Sequence, residues 1–300
     1  MIADAGLLGP AFNTIKGREN TVSKRAIDCL INVHFGDEAQ PEWMQRVKNE
    51  YFKREDSIFG KWEMSKVLDE MDAQGVEKVV VMGQIGKPNG SPFKFVEARP
   101  DRFAMSLGGF DLLQPMANIR NIEPILRSNP VAYLAIGPSF WANGTYNPEH
   151  AVYYPLYTKC VEWGVPLCMN TGLPGPPIPG EVQNPMYLDR VCQHFPDLKL
   201  CMIHGADPWW EIAIRLMVKY PNLHMMTSAW APKYLPETLL HYMRTRGKNK
   251  VIFASDAPVL SITRTTTEAR ALDLPPEVME NWMYNNAQRF FFDRLEGKTA

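Results

Sequence analysis

The chain has 300 residues, 22% charged and 45% hydrophobic, which excludes a disordered, collagen-like or coiled-coil protein and suits either two domains or one large α/β barrel. Its 32 basic and 33 acidic residues are mixed along the chain for a formal net charge of −1, so no basic run is there to track a phosphate backbone, and nucleic acid is excluded as a partner. No stretch reaches the roughly 18 uncharged apolar residues of a membrane span, and the N-terminus lacks the order of a signal peptide.

Residues 1–24, with Gly, Pro, Asn and Ser, read as an irregular lead-in, and 25–296 as one domain. Short apolar runs then alternate with longer amphipathic stretches. Strands are predicted at 26–34 (AIDCLINVH), 77–82 (EKVVVM), 102–108 (RFAMSLG), 131–136 (VAYLAI), 165–170 (VPLCMN), 198–203 (LKLCMI), 222–227 (NLHMMT) and 250–255 (KVIFAS). Most are apolar on both faces, as buried parallel strands are. Helices are predicted at 57–73, where Phe59, Trp62, Val67, Leu68 and Met71 fall near one face, and at 115–127, 148–163, 184–195, 208–219 and 235–246. Gly75, Gly164 and Gly247 stand where helices end, and Pro148 and Pro208 where helices start. The Gly- and Pro-rich segment 171–185 (TGLPGPPIPGEVQNP) follows strand five and is expected to be an ordered loop at the active-site end. The tail, 275–295, reads as further helix opened by Pro275 and Pro276.

About eight βα units with right-handed crossovers close into a single (β/α)8 barrel of the α/β class, TIM-like in architecture. A doubly wound open sheet is the alternative, but no GxGxxG follows the first strand. The five cysteines (Cys29, Cys160, Cys168, Cys192, Cys201) lie in apolar runs without CxxC spacing, which predicts reduced core thiols and a cytoplasmic protein.

Polar residues at the C-terminal ends of barrel strands carry chemistry. Strand one offers Asn32 and His34, strand five Asn170, strand six His204, strand seven Thr227 and Ser228, and strand eight Asp256. Asp28 lies deeper in strand one, with a parity that matches Asn32 and His34. An imidazole at position 204 suits general acid–base work, and a carboxylate at 256 can hold a metal, orient a water or take its proton. The bland alternatives are a packing histidine and a helix cap. His150, His194, His224 and His241 read as structural. Trp209 and Trp230 follow strands six and seven and are placed to wall an apolar substrate cavity, although Trp- and Met-rich stretches are more often core.

The stretch FPDLKLCMIHGADPWWEIAIRLMVKYPNLHMMTSA, then KVIFASDAP and MYNNAQRFF, resembles the amidohydrolase-2 family, whose members include nonoxidative decarboxylases, hydratases and hydrolases. The resemblance implies a barrel of the metallo-dependent hydrolase type, usually with one divalent metal. It maps the family's catalytic strand-six histidine onto His204 and its metal-binding aspartate onto Asp256. It also exposes departures. The family's first strand reads IDxHxH, with both histidines on the metal. Those positions are Leu30 and Asn32 when aligned on Ile27-Asp28, or His34 and Gly36 when aligned on Ile31-Asn32. The family's strand-five histidine is Asn170. One carboxylate and at most one imidazole fall short of the three protein ligands of a catalytic zinc.

The leading expectation is therefore a metal-independent hydrolase of a cyclic or aromatic organic acid. Asp256 would be its general base, His204 the acid or polariser, and Asn32, His34, Asn170, Trp209 and Trp230 would contact substrate. The alternative is a decarboxylase or hydratase with one weakly held divalent ion (zinc, magnesium or manganese) on Asp256 and His34, with Lys233 or Arg264 as the cation for a substrate carboxylate. A catalytically silent partner subunit is the third reading. By analogy with relatives, the chain is expected to form a homodimer.

Overall fold

A computed structural model describes residues 24–39, 42–46, 49–50 and 62–297. The lead-in through residue 23 and the start of the helix expected over 57–73, Phe59 included, lie outside the described residues.

The elements run β1 (Ala26–Ile31), α1 (Glu42–Arg46), α2 (Met64–Gln74), β2 (Val76–Gln84), α3 (Ser91–Ala98), β3 (Phe103–Gly108), α4 (Pro115–Ser128), β4 (Val131–Ile136), α5 (Tyr154–Trp163) and β5 (Leu167–Asn170). They continue with α6 (Leu188–His194), β6 (Leu200–Ile203), α7 (Trp210–Lys219), β7 (Leu223–Met226), α8 (Glu237–Arg244), β8 (Val251–Ile252), α9 (Ile262–Arg270), α10 (Pro276–Glu280) and α11 (Asp293–Glu296). All eight strands are parallel and lie in sequence order. Ladder bonds from Cys29 N–H to the Phe253 carbonyl (3.3 Å), Asp256 N–H to the Leu30 carbonyl (3.0 Å) and Asn32 N–H to the Ala257 carbonyl (2.6 Å) join β8 back to β1. The fold is a (β/α)8 barrel.

Because side chains alternate across each strand, the core divides into two layers. Val79, Val81, Met105, Leu134, Leu167, Leu200 and Met225 pack outward against the helices. Ile27, Cys29, Val80, Ala104, Tyr133, Cys168, Cys201, Met226 and Ile252 fill the barrel itself. Each fully buried aliphatic side chain stabilises by about 1.5–3 kcal/mol. The N-terminal end of the barrel is closed by the tail. There two π-helical turns, Asn281–Asn285 and Gln288–Phe292, put Tyr284, Phe290, Phe291 and Phe292 under the strands. Phe291 meets Tyr133 at 5.0 Å, and Arg294 donates to the carbonyls of Val131 and Ala132.

Several predicted boundaries shift. Strand one ends at Ile31, three residues early, because the chain turns into a 3-10 segment over Val33–Gly36. Pro148 does not open a helix: His150 caps the 3-10 turn Ala151–Tyr153, and α5 starts behind it at Tyr154. Gly75 and Gly164 end α2 and α5 in the left-handed region, at φ 64° and 63°, as C-caps do. Gly247 serves otherwise: α8 stops at Arg244, and a Cβ at 247 would overlap the Tyr242 ring. The sequence does not foretell helices α1 and α3, nor α9. The latter reads ITRTTTEAR, a β-branched run that looks unhelical until Ser261 Oγ accepts the Arg264 N–H at 3.2 Å as its N-cap.

Candidate active site

Parity within the barrel decides which strand-end side chains face its mouth. Asn170 shares the parity of Cys168, and Ser228 and Asp256 share those of Met226 and Ala254; all three reference residues belong to the inner cluster. In β1 the pattern is reset. Asp28 registers with Val79, but Ile31, three residues on, registers with Val81, so one extra residue is accommodated between them as a bulge. Asp28 and Asn32 therefore do not point the same way, contrary to the parity expected from the sequence. The Asp28 carboxylate fills the irregularity. Its Oδ1 accepts from Ser255 N–H at 2.8 Å and from Leu30 N–H at 3.3 Å, and its buried Oδ2 has no partner.

Past the bulge, Asn32 is turned toward β8. Its Nδ2 donates to Asp256 Oδ1 at 2.7 Å in a buried contact. Asp256 is 9% exposed, and burial pushes its carboxyl up to about 8. The Asn32 hydrogen bond opposes that shift and the charge of Asp28 adds to it. Burial wins, so the carboxyl holds its proton at neutral pH. Its Oδ2 accepts no hydrogen bond from the described residues, yet is not among the walled-off buried atoms.

His204 follows β6 in the left-handed region at φ 70°. Ala229 after β7 and Asp256 after β8 share that conformation, at φ 62° and 65°. Such backbone costs about 1–3 kcal/mol per non-glycine residue and persists where the surroundings enforce it. Around His204 the enforcement is explicit. Its N–H donates to Ser228 Oγ at 3.1 Å, its carbonyl accepts from Trp230 Nε1 at 2.9 Å, and the next N–H, of Gly205, donates to the Met226 carbonyl at 2.9 Å. Ser228 Oγ also lies 2.9 Å from His204 Nδ1. Burial pushes this imidazole down to about 4, with the backbone of Ser228 offsetting part of the shift, so the ring is neutral at pH 7.

The other predicted contacts sit as follows. Asn170, half-buried, lies against Gly137 at the end of β4. Trp230 reaches the site through its bond to His204 and packs edge-on against Trp210 at 5.4 Å. Trp210, not singled out from the sequence, is the inner tryptophan, and its ring covers Gly205 so closely that no Cβ fits there. Trp209 stands half-buried ahead of α7. His34 lies beyond the strand in the 3-10 turn, where burial lowers its imidazole to about 4 and leaves its Nδ1 without a partner. Lys233 and Arg264 both pair with Glu268, at 3.8 and 2.9 Å. The segment 171–185 is ordered, as expected. Gly172 and Gln183 bond each other through main chain and side chain, and Leu173 N–H reaches the Asp207 carbonyl at 2.8 Å.

His224 packs against Phe290 at 4.2 Å with the rings tilted by 40°, near the barrel floor. All five cysteines are buried and unpaired. Among the described residues no three His, Cys, Asp or Glu side chains gather as a metal-ligand set, and no helix is long and apolar enough to cross a membrane.

A parallel eight-stranded barrel with an amide, an imidazole, a hydroxyl, a carboxyl and a second amide after β5, β6, β7, β8 and β1 in turn belongs to the class that carries chemistry at its C-terminal face. The chain belongs to the amidohydrolase-2 family: the family model, described as amidohydrolase, matches residues 31–292. No curated protein sequence matches it. Among solved structures it is similar to an uncharacterised TIM-barrel protein of Bordetella bronchiseptica, with 22% identity, TM-score 0.73, and 89% of this chain and 98% of that one covered. A 5-carboxyvanillate decarboxylase of Sphingomonas paucimobilis follows with 18% identity and TM-score 0.65, covering 90% and 99%. A 4-oxalomesaconate hydratase of Rhodopseudomonas palustris has 16% identity and TM-score 0.63, covering 91% and 97%. A second 5-carboxyvanillate decarboxylase, of Novosphingobium aromaticivorans, is complexed with manganese.

Proposed function

We propose that this chain is a lyase of aromatic or unsaturated cyclic carboxylic acids, a nonoxidative decarboxylase or a hydratase, in which Asp256 delivers a proton to substrate carbon. The observation that carries the proposal is a buried carboxyl at the barrel mouth, held by Asn32 on one oxygen and open on the other. Such a group is protonated at neutral pH and is placed to give a proton up. The decarboxylases and the hydratase among the structural neighbours support the same side of the choice. Hydrolysis would need Asp256 ionised, to take a proton from water.

In decarboxylation, the ring carbon bearing the carboxylate takes the proton from Asp256. The carbon–carboxylate bond then breaks, its electron pair returning to the ring as CO2 leaves, and solvent restores the Asp256 proton. The neutral imidazole of His204 and the amide of Asn170 are the donors available to the substrate's ring oxygen or carboxylate.

The donor set does not fit a tightly held zinc or manganese ion. Asp256 contributes one carboxylate, already engaged by an amide N–H, and the family's other ligand positions hold Asn170 together with Leu30 and Asn32, or His34 and Gly36, by either alignment. Binding, orientation and proton transfer are therefore assigned to the protein's own groups.

The test is a panel of hydroxybenzoates and unsaturated cyclic acids in D2O, with and without chelator, following CO2 release and deuterium at the vacated carbon. The expected outcome is chelator-resistant deuterium incorporation. The rate should fall as pH rises through about 8, where the acid loses its proton, and Asp256→Asn should lower it on the order of 10²-fold or more. Ester or lactone hydrolysis with a rate rising through the same pH would overturn the assignment in favour of a hydrolase with Asp256 as base.

A further inference from the structure

We infer that Ser228 is a positioning residue that fixes the tautomer of His204, so that the imidazole presents Nε2–H, a hydrogen-bond donor, to the substrate. The inference rests on the lyase proposal for what that donor does, but the tautomer follows from hydrogen-bond accounting alone.

A serine hydroxyl has one proton and two acceptor sites. Ser228 Oγ is fully buried, and one acceptor site is taken by His204 N–H at 3.1 Å. Among the described residues its own proton has one acceptor at hydrogen-bond geometry, His204 Nδ1 at 2.9 Å. The Ser228 backbone also interacts with the ring and favours its protonated form, but the partner at 2.9 Å from Nδ1 is the Ser228 hydroxyl. Were Nδ1 protonated, two N–H groups would point at one oxygen and the buried hydroxyl proton would have no partner, at a penalty of about 1–3 kcal/mol. That is about 5- to 150-fold in favour of the other tautomer. Nδ1 is therefore the acceptor, and the ring proton sits on Nε2. Nε2 makes no hydrogen bond among the described residues and is not walled off, so it opens to solvent at the barrel mouth.

The surrounding bonds keep this geometry from relaxing. Trp230 holds the His204 carbonyl at 2.9 Å, and the Ala229 N–H after Ser228 reaches the Ser255 carbonyl at 3.3 Å. One hydroxyl thus reads both the backbone and the ring of the same residue. The consequence is chemical: a neutral imidazole with Nε2–H polarises an oxygen and is not a base on its substrate-facing side.

The experiment is 15N–1H correlation NMR of the whole protein labelled at histidine nitrogens, near pH 7, with His204 assigned by the peaks missing from His204→Asn. The expected result is an unprotonated Nδ1 and a protonated Nε2 for His204. Ser228→Ala should shift the ring toward a tautomer mixture, and Ser228→Thr, which keeps the hydroxyl, should restore the original pattern. A protonated Nδ1 in the unaltered protein overturns the inference whatever the variants do, and needs no knowledge of substrate. If a substrate is turned over, Ser228→Ala should lower kcat on the order of tenfold with KM nearly unchanged; equal loss in Ser228→Thr would overturn the positioning role. Failure of every substrate in the panel would count against the lyase proposal and leave the tautomer result standing.

Discussion

At the scale of single residues, the site is defined by groups held in the less comfortable of their two states. Asp256 is the clearest case. Its folded carboxyl titrates near 8 against an ordinary 3.8. Between those values the folded chain keeps a proton that the unfolded chain has released, so Asp256's contribution to stability declines as pH rises from about 4 to about 8. Asparagine is neutral and nearly isosteric and escapes that penalty, while its Oδ1 can still accept from Asn32. Asp256→Asn should therefore raise Tm markedly at pH 8.5 and scarcely at pH 4, even as it removes activity. Equal shifts at both pH values in thermal melts followed by circular dichroism would refute this account of the carboxyl.

At the scale of elements, the bulge in β1 and the turns after β6, β7 and β8 do the positioning. Gly205 shows how tightly. It follows His204 with φ 66° and lies under the Trp210 ring. Gly205→Ala should destabilise the protein by on the order of 3 kcal/mol, through left-handed backbone and overpacking together. Gly205→Ala combined with Trp210→Phe should recover part of that loss in chemical denaturation; no recovery would assign the whole effect to the backbone.

The same elements mark the limit of sequence reading. Eight apolar runs foretell the barrel because burial on both faces leaves a continuous hydrophobic signature. His204 and Asp256 stand out because a polar residue ending such a run is unusual. A bulge leaves no such signature. Strict period-two counting put Asp28 beside Asn32, whereas the extra residue between Asp28 and Ile31 turns Asn32 alone toward Asp256. Ser228 was visible as a polar strand end, but its tie to His204 crosses 24 positions and depends on backbone conformation that local sequence does not encode. Trp209 and Trp210 are adjacent and alike in sequence, and it is the burial of Trp210, its packing on Trp230 and the closeness of its ring to Gly205 that set it apart.

At the scale of the whole molecule, opposing titrations predict where the fold is firmest. His34, His204 and His224 are lowered to about 4, 4 and 3, so each withdraws stability as pH falls below the ordinary histidine value of 6.5. Asp28 and Asp256 are raised to about 6 and 8, so each withdraws it as pH rises toward those values. Ion-paired Glu77, Asp101, Asp189 and Glu296, all lowered, add losses only in stronger acid. The balance places maximal stability between about pH 6.5 and 7, to be checked by urea midpoints across pH 4–9. A plateau reaching pH 8.5 would contradict it.

The tail beneath the strands has a consequence for biosynthesis. Tyr284, Phe290, Phe291 and Phe292 supply the inner floor, and all four follow the last strand, β8, along the chain. A ribosome still decoding the preceding helices holds a nascent cylinder that cannot be sealed, with Tyr133 and Cys29 facing an open end. Completion of the native state must await synthesis of these four aromatic residues, and a product that stops before them would leave the barrel's underside open to chaperones and proteases.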